Sequence, residues 1–258
     1  MKISIITPSF NQGMYIQKTM ESVLHQKGDF TLEYIIVDGN STDETPTILE
    51  DFNKQITIIR EADTGQANAL NKGFHMASGD ILGWLNADDL YCKNALAIVH
   101  ETFKKNKNIK WMYGKCFIID DNNIEIRKFI TWYKNRRQSK FKYKKLLLEN
   151  FISQPAVFFR KDFLLQTGFL NESLIYTMDY ELWLRMAANE KPAIVPEWLA
   201  QFRRHSSSKS ETAFKAQFDE QFRVMCNFSN QKIIHVFHKI LTFRTIVIYN
   251  LLKTLNLR

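Results

Sequence analysis

A chain of 258 residues can bury one large core and carry a smaller C-terminal element besides. Its 45% hydrophobic and 24% charged residues are ordinary for a soluble globular protein. Cys92, Cys116 and Cys226 lie too far apart for a zinc site or a disulfide framework. The net charge of +8 is clustered: residues 126–148 hold nine Lys or Arg and no acid, and six more basic residues and no acid follow Glu220. Such clusters point to an anionic partner, whether nucleic acid, an anionic membrane face or a phosphorylated substrate.

In chain order, Ile3–Thr7 is a short β-rich run ended by Pro8, too short to be a leader, so no signal peptide is expected. Tyr15–Gln26 has helical spacing. Tyr34–Val37 is a second buried strand closed by the turn cluster Asp38–Ser41, and Thr42 or Asp43 can cap the helix that follows. Ile56–Ile59 is a third strand, Thr64–Ala77 a helix, and Asp80–Leu85 a fourth strand that runs into Asn86-Ala87-Asp88-Asp89. This βαβ rhythm predicts an α/β fold with a mostly parallel sheet and helices on both faces. Such sheets bind ligands at the carboxyl ends of their strands, where Thr7-Pro8-Ser9, Asp38–Ser41 and Asn86–Asp89 fall.

The second half is less regular. Strands are expected over Trp111–Ile119 and Ala156–Phe159, and a helix over Asp179–Ala188. A long amphipathic helix is expected over Ile233–Leu255. No stretch reaches the roughly 18 apolar residues of a spanning helix.

Asp88 and Asp89 at a strand end repel one another unless something positive sits there. A hard divalent cation would neutralise them and could hold a diphosphate; the alternative is a helix-capping Asp pair. Asp38, also at a strand end, can accept hydrogen bonds from a base or a ribose, or can simply form a turn. No glycine-rich phosphate loop follows the first strand, so a nucleotide would need another device, such as a metal.

Seven motifs then stand in order: Ile5-Ile-Thr-Pro-Ser-Phe-Asn11, Ile36-Val-Asp-Gly-Asn-Ser-Thr-Asp-Glu-Thr45, Asp63-Thr-Gly-Gln-Ala-Asn-Ala-Leu-Asn-Lys-Gly73, Ala77-Ser-Gly-Asp80, Gly83-Trp-Leu-Asn-Ala-Asp-Asp89, Gln154-Pro155 and Met178-Asp-Tyr-Glu-Leu-Trp-Leu-Arg185. In this the chain resembles the GT-A (Rossmann-like) glycosyltransferases of family 2 over roughly residues 1–206. The resemblance implies a transferase domain over 1–206, with a nucleotide-binding half to about 110 and an acceptor-binding half over 111–206. Residues 207–258 are expected to form a helical C-terminal extension.

It further implies nucleotide-sugar binding by Thr7, Pro8, Asp38, Asn71, Lys72, Asn86 and Asp88. Mn²⁺ or Mg²⁺ is expected on Asp88 and Asp89, with His205 of Arg203-Arg204-His205-Ser206 as a further metal or phosphate contact. Asn86 stands where the family's DXD motif has its first Asp, which shifts weight to Asp88 and Asp89. Asp179 matches the family's catalytic base, which implies inversion at the sugar carbon.

The implied reaction moves a sugar from a UDP-sugar or another nucleotide diphosphate donor to a hydroxyl of a glycan or lipid-linked acceptor in bacterial surface-polysaccharide biosynthesis. A sugar nucleotidyltransferase and an inactive glycan-binding or scaffold relative are the alternatives. The basic, aromatic segment 126–148 and the acid-free C-terminal helix suggest peripheral contact with the inner face of the plasma membrane from the cytoplasm. The helix could instead pack on its own domain or, in a homo-oligomer, on a second subunit; nucleic acid is not expected as a partner.

Overall fold

The computed structural model describes residues 1–205 and 214–254. The expected boundary at 206/207, Ser206 and Leu255 lie outside the described residues. Eight strands form one sheet: β1 (Lys2–Ser9), β2 (Thr31–Asp38), β3 (Thr57–Arg60), β4 (Ile81–Trp84), β5 (Leu90–Tyr91), β6 (Trp111–Ile119), β7 (Val157–Arg160) and β8 (Ala193–Arg203). Their order is β3-β2-β1-β4-β7-β6-β8-β5. The pairs β3–β2, β2–β1, β1–β4 and β6–β8 are parallel, whereas β7 runs against β4 and β6, and β5 against β8. The sheet is thus mostly parallel, as expected, and β1, β2, β3, β4, β6 and β8 all end at the same edge.

Helices α1 (Gly13–Leu24), α2 (Thr45–Asp51), α3 (Gln66–Met76) and α4 (Ala95–Lys105) belong to the first half. The second half has α5 (Lys128–Gln138), α6 (Tyr143–Leu148), α7 (Lys161–Thr167), α8 (Met178–Asn189), α9 (Phe214–Phe228) and α10 (Lys232–Thr254). Strand β2 shows why its core reads as an unbroken apolar run. Ile35 and Val37 pack on one face with α3 and Trp84, while Tyr34 and Ile36 pack on the other with α1 and α4. A strand covered on both faces needs apolar side chains at every position. Helix α3 approaches closely because residue 73 is glycine: an added Cβ there would overlap Ile6 of β1.

Three tryptophans form the centre of one layer. Trp183 of α8 stacks on Trp84 of β4 and Trp111 of β6, with centroids 5.5 and 6.0 Å away. All three are buried. Truncating Trp183 would cost on the order of 3–5 kcal/mol. The stack ties α8, which starts at the site, to the middle of the sheet.

The expected elements of the first half are present, with ends shifted by a few residues. Asp43 accepts the Thr45 backbone N–H at 2.9 Å as α2 begins, and also the Gly13 N–H at 3.0 Å where α1 starts. In the second half, β8 and helices α5, α6, α7 and α9 add to the expected elements. β8 carries Pro196 and Glu197 and pairs with β6 through register irregularities near Lys115, so its apolar alternation is broken.

Candidate active site

The loops at the common strand edge enclose a cavity of about 740 Å³. Pro8 and Ser9 line it from the end of β1, Trp84, Asn86, Ala87 and Asp88 from the end of β4, and Arg203, Arg204 and His205 from the end of β8. Gln154 enters from the start of the reversed strand β7 and Asp179 from the first turn of α8. Residues of α5, α9 and α10 close the far side.

The Asn86–Asp89 turn separates its two aspartates. Asp88 faces the cavity, and its Oδ2 lies 2.9 Å from His205 Nε2. Tyr15 packs on the His205 ring with centroids 4.8 Å apart, and the Arg203 guanidinium lies over the same Tyr15 ring at 5.2 Å. Asp89 turns the opposite way and is fully buried. It accepts the Arg203 backbone N–H at 2.8 Å and the Asn86 amide at 3.2 Å. Burial, then the neighbouring Asp88, push its carboxyl well above the usual range. Asp89 does not line the cavity, so the expected shared cation site on Asp88 and Asp89 is not assembled. Its position instead locks the turn to β8, with Arg203 Nε donating to the Asp88 carbonyl at 2.8 Å.

Asn86 is held by two amides. Gln66 donates to its Oδ1 at 2.8 Å, and its own Nδ2 donates to Gln154 Oε1 at 3.2 Å; Gln154 in turn donates to the Trp84 carbonyl at 2.8 Å. Asp38 ends β2 as expected but is fully buried and outside the cavity lining. It accepts the Ser41 N–H at 3.0 Å and the Ser41 hydroxyl, with Arg60 Nε 3.5 Å away. Ser41 Oγ also accepts the Asn11 N–H at 2.8 Å, and Asn11 Oδ1 accepts the Thr42 N–H at 2.9 Å. Asn11 and Asn40 take left-handed backbone angles, which Asn tolerates better than most residues. Asp38 therefore joins the loops after β1 and β2 beneath the cavity.

Three further expected contacts are not brought in. Thr7 is buried, with its hydroxyl 3.0 Å from the Tyr34 hydroxyl. The Asn71 amide donates to the Leu170 carbonyl and Glu172 and accepts the Leu170 N–H, which pins α3 to the segment before α8. Lys72 binds the Ala62 carbonyl at 2.8 Å and Glu61 at 2.9 Å. Asn71 and Lys72 sit on faces of α3 that turn away from the cavity, a direction that motif spacing alone does not give.

Asp179 presents its carboxylate to the cavity with Oδ1 accepting the Tyr180 N–H at 2.7 Å and Asn150 Nδ2 3.5 Å from Oδ2. Burial raises its carboxyl above the ordinary value, and the Tyr180 N–H, Lys134 and Asn150 oppose that rise. The approach to α8 is fixed by Glu220 of α9, a buried residue. Its carboxylate accepts the backbone N–H groups of Ile175, Tyr176 and Thr177 and the Thr177 hydroxyl, at 2.7–3.1 Å. Neither Glu220 nor Gln154 was singled out as a site residue by sequence; Gln154-Pro155 was visible as a motif, whereas nothing local marks Glu220.

Residues 4–165 match the family described as Glycosyl transferase family 2. The chain belongs to that family. It is 30% identical over 240 residues to UDP-Glc:alpha-D-GlcNAc-diphosphoundecaprenol beta-1,3-glucosyltransferase WfgD of Escherichia coli, covering 92% of this chain and 90% of the relative. An uncharacterized glycosyltransferase of Rickettsia typhi is 28% identical over 224 residues, or 82% of this chain; the chain spans 66% of that relative. Among solved structures, Staphylococcus aureus TarS 1-349 in complex with UDP-GlcNAc superposes with a TM-score of 0.69 at 16% identity, over 91% of this chain and 69% of TarS 1-349. The mannosyltransferase PcManGT from Pyrobaculum calidifontis, in complex with GDP-Man and Mn²⁺, gives a TM-score of 0.67 at 16% identity, over 93% and 69%. These two likenesses show a GT-A glycosyltransferase fold, and the family 2 chain carries its cavity at the strand edge of that fold.

Proposed function

We propose that this family 2 protein is an inverting glycosyltransferase that takes a sugar from a UDP-sugar and delivers it to a hydroxyl of a lipid-linked glycan in bacterial surface-polysaccharide assembly. One observation carries the reading: the Asp88–His205 pair and the Asp179 carboxylate face one cavity. An anion-side device and a base within one enclosure are what transfer from a diphosphate needs. The relative from Escherichia coli is named for a UDP-glucose donor and a diphosphoundecaprenol acceptor, which supports the donor and acceptor classes.

Pro8 and Ser9 receive the base and ribose, and the Asn86–Gln66–Gln154 amides orient the sugar and ribose hydroxyls. Arg204 adds positive charge beside the diphosphate. Asp179 takes the proton of the acceptor hydroxyl as that oxygen bonds to the sugar C1. The C1–oxygen bond to the diphosphate breaks with its electron pair, and UDP leaves. With one base opposite the leaving group, attack inverts C1.

Mn²⁺ or Mg²⁺ fits Asp88 and His205, one carboxylate and one imidazole that meet at the cavity wall. Among the described residues no group of three His, Cys, Asp or Glu could hold a metal ion, so Asp88 and His205 would be the side chains that hold it. A bound ion would supply positive charge against the departing diphosphate. Asp89 serves this pair by holding the turn.

The transferase domain over 1–206 and the extension over 207–258 belong to this reading. So does peripheral membrane contact from the cytoplasm. No helix among the described residues is long and apolar enough to cross a membrane. Helix α10 exposes Ile233, Val236, Phe237, Ile240 and Phe243 at helical spacing beside Lys232 and Lys239. Its inner face, with Ile234 and His238 buried, packs on the transferase domain.

The test is a panel of nucleotide sugars with an undecaprenyl- or farnesyl-diphosphate-linked acceptor, with and without Mn²⁺ or Mg²⁺, read as released nucleoside diphosphate. Release from a UDP-sugar that requires the ion is expected. Release from none refutes the transferase reading, and equal release without an ion removes Asp88 and His205 as its holders.

A further inference from the structure

The wall of the cavity beside Asp179 carries a cation that the donor chemistry above leaves unused. Lys134 projects from α5 into the cavity, half-buried, and none of the described residues gives it a hydrogen bond or an ion pair. A half-buried ammonium without an anion is costly to keep. Asp179 attracts it through space but makes no ion pair with it. Glu149, which also lines the cavity, is already taken by the Tyr133 hydroxyl at 2.8 Å, Arg137 at 3.3 Å and Arg244 at 3.6 Å. Three cations therefore stand against two carboxylates here.

One turn before Lys134, on the same face of α5, Ile130 lines the cavity, and Phe129 and Ile248 of α10 line it too. A turn is about 5.4 Å along the helix. Phe129 is 65% exposed and leads to exposed Trp132, with the two rings 5.6 Å apart. The wall thus runs from a carboxylate, to an unmatched ammonium, to an apolar lip open to the outside.

We infer that Lys134 binds the diphosphate of the acceptor, and that Phe129, Ile130 and Ile248 seat the first units of its lipid chain. The ligand class is an amphiphile with a diphosphate joined to an apolar chain, its sugar hydroxyl lying at Asp179. This rests on the glycosyltransferase reading and names the acceptor site within it.

The test measures farnesyl diphosphate binding to the protein saturated with UDP and Mn²⁺, so that the donor site is filled, with inorganic diphosphate and farnesol as controls. Farnesyl diphosphate is expected to bind more tightly than either. Lys134→Ala should weaken it by about 10- to 100-fold, the range for losing a charged hydrogen bond, and Lys134→Arg should restore it to within a few-fold. Phe129→Ser, at an exposed position that folding tolerates, should weaken farnesyl diphosphate but not inorganic diphosphate. UDP binding measured on each variant reports the fold. Failure of farnesyl diphosphate to bind overturns the inference, as does unchanged affinity in Lys134→Ala and Phe129→Ser or equal affinity for inorganic diphosphate. A wild-type protein that binds no UDP refutes the UDP donor of the proposed function instead, and farnesyl diphosphate binding without UDP still decides the acceptor site.

Discussion

The two halves of the cavity wall are built in different ways. The half from β1, β2 and β4 consists of short turns at strand ends. The turns after β2 and β4 are closed locally, Ser41 on Asp38 and Asp89 on Asn86, and Asn11 on Thr42 ties the short loop after β1 to the one after β2. The other half is assembled at long range. Asp179 stands on α8, the approach to α8 hangs on Glu220 of α9, and the floor beneath involves Asn150 and Lys134 from separate segments. Local turns hold a shape with little help, whereas the base end depends on how distant helices dock. Substitutions in the first half should therefore act where they sit, and those in the second should spread.

The strongest test of that contrast is Asp179→Asn. It should lower kcat by about 10²- to 10⁴-fold, the usual weight of a positioned base, while UDP affinity stays within twofold. Steady-state kinetics and calorimetric UDP titration check it. Loss of UDP binding would place Asp179 among the donor contacts.

Glu220→Ala comes next. It strands three backbone N–H groups before α8, so about 2–4 kcal/mol of stability should go, with a fall in kcat at unchanged UDP affinity. Denaturant melts and kinetics on the same variant check it. A change confined to the melt would limit Glu220 to stability.

Asn71→Ala should cost about 1–3 kcal/mol through the unsatisfied Leu170 N–H and carbonyl, with no change in UDP affinity. A melt that does not move, paired with weaker UDP binding, would return Asn71 to the nucleotide site.

The smallest effect is on pH. Burial raises the Asp179 carboxyl, so it takes up its proton, and base function is lost, at a higher pH than for an ordinary aspartate. The acid limb of kcat should lie there. Lys134→Ala removes a cation that opposes the rise, and should move the limb further up. A limb that moves down, or stays, would separate Lys134 from Asp179.

Much of the fold was legible because β1–β4 carry unbroken apolar runs between turn residues, and a parallel sheet buried on both faces requires those runs. The strand-edge location of the site followed from the same pattern. Pro8, Asn86, Asp88, Asp179 and His205 do line the cavity. Asp38, Asp89, Asn71 and Lys72 share motifs with them, yet their side chains turn away from the cavity. Motif spacing names the loop but not the rotation of each side chain about it. Helix α5 was hidden because 126–148 is dominated by Lys and Arg, with little apolar period to mark a face. β8 was hidden by Pro196 and by irregular pairing, and Glu220 by being an ordinary helical glutamate until α9 docks.

The most direct measurement of a single base opposite the leaving group is the anomeric configuration of the product. Transfer from an α-linked UDP-sugar, followed by proton NMR of the new glycosidic bond, should give the β-anomer alone. An α-linked product would contradict inversion and with it the role assigned to Asp179.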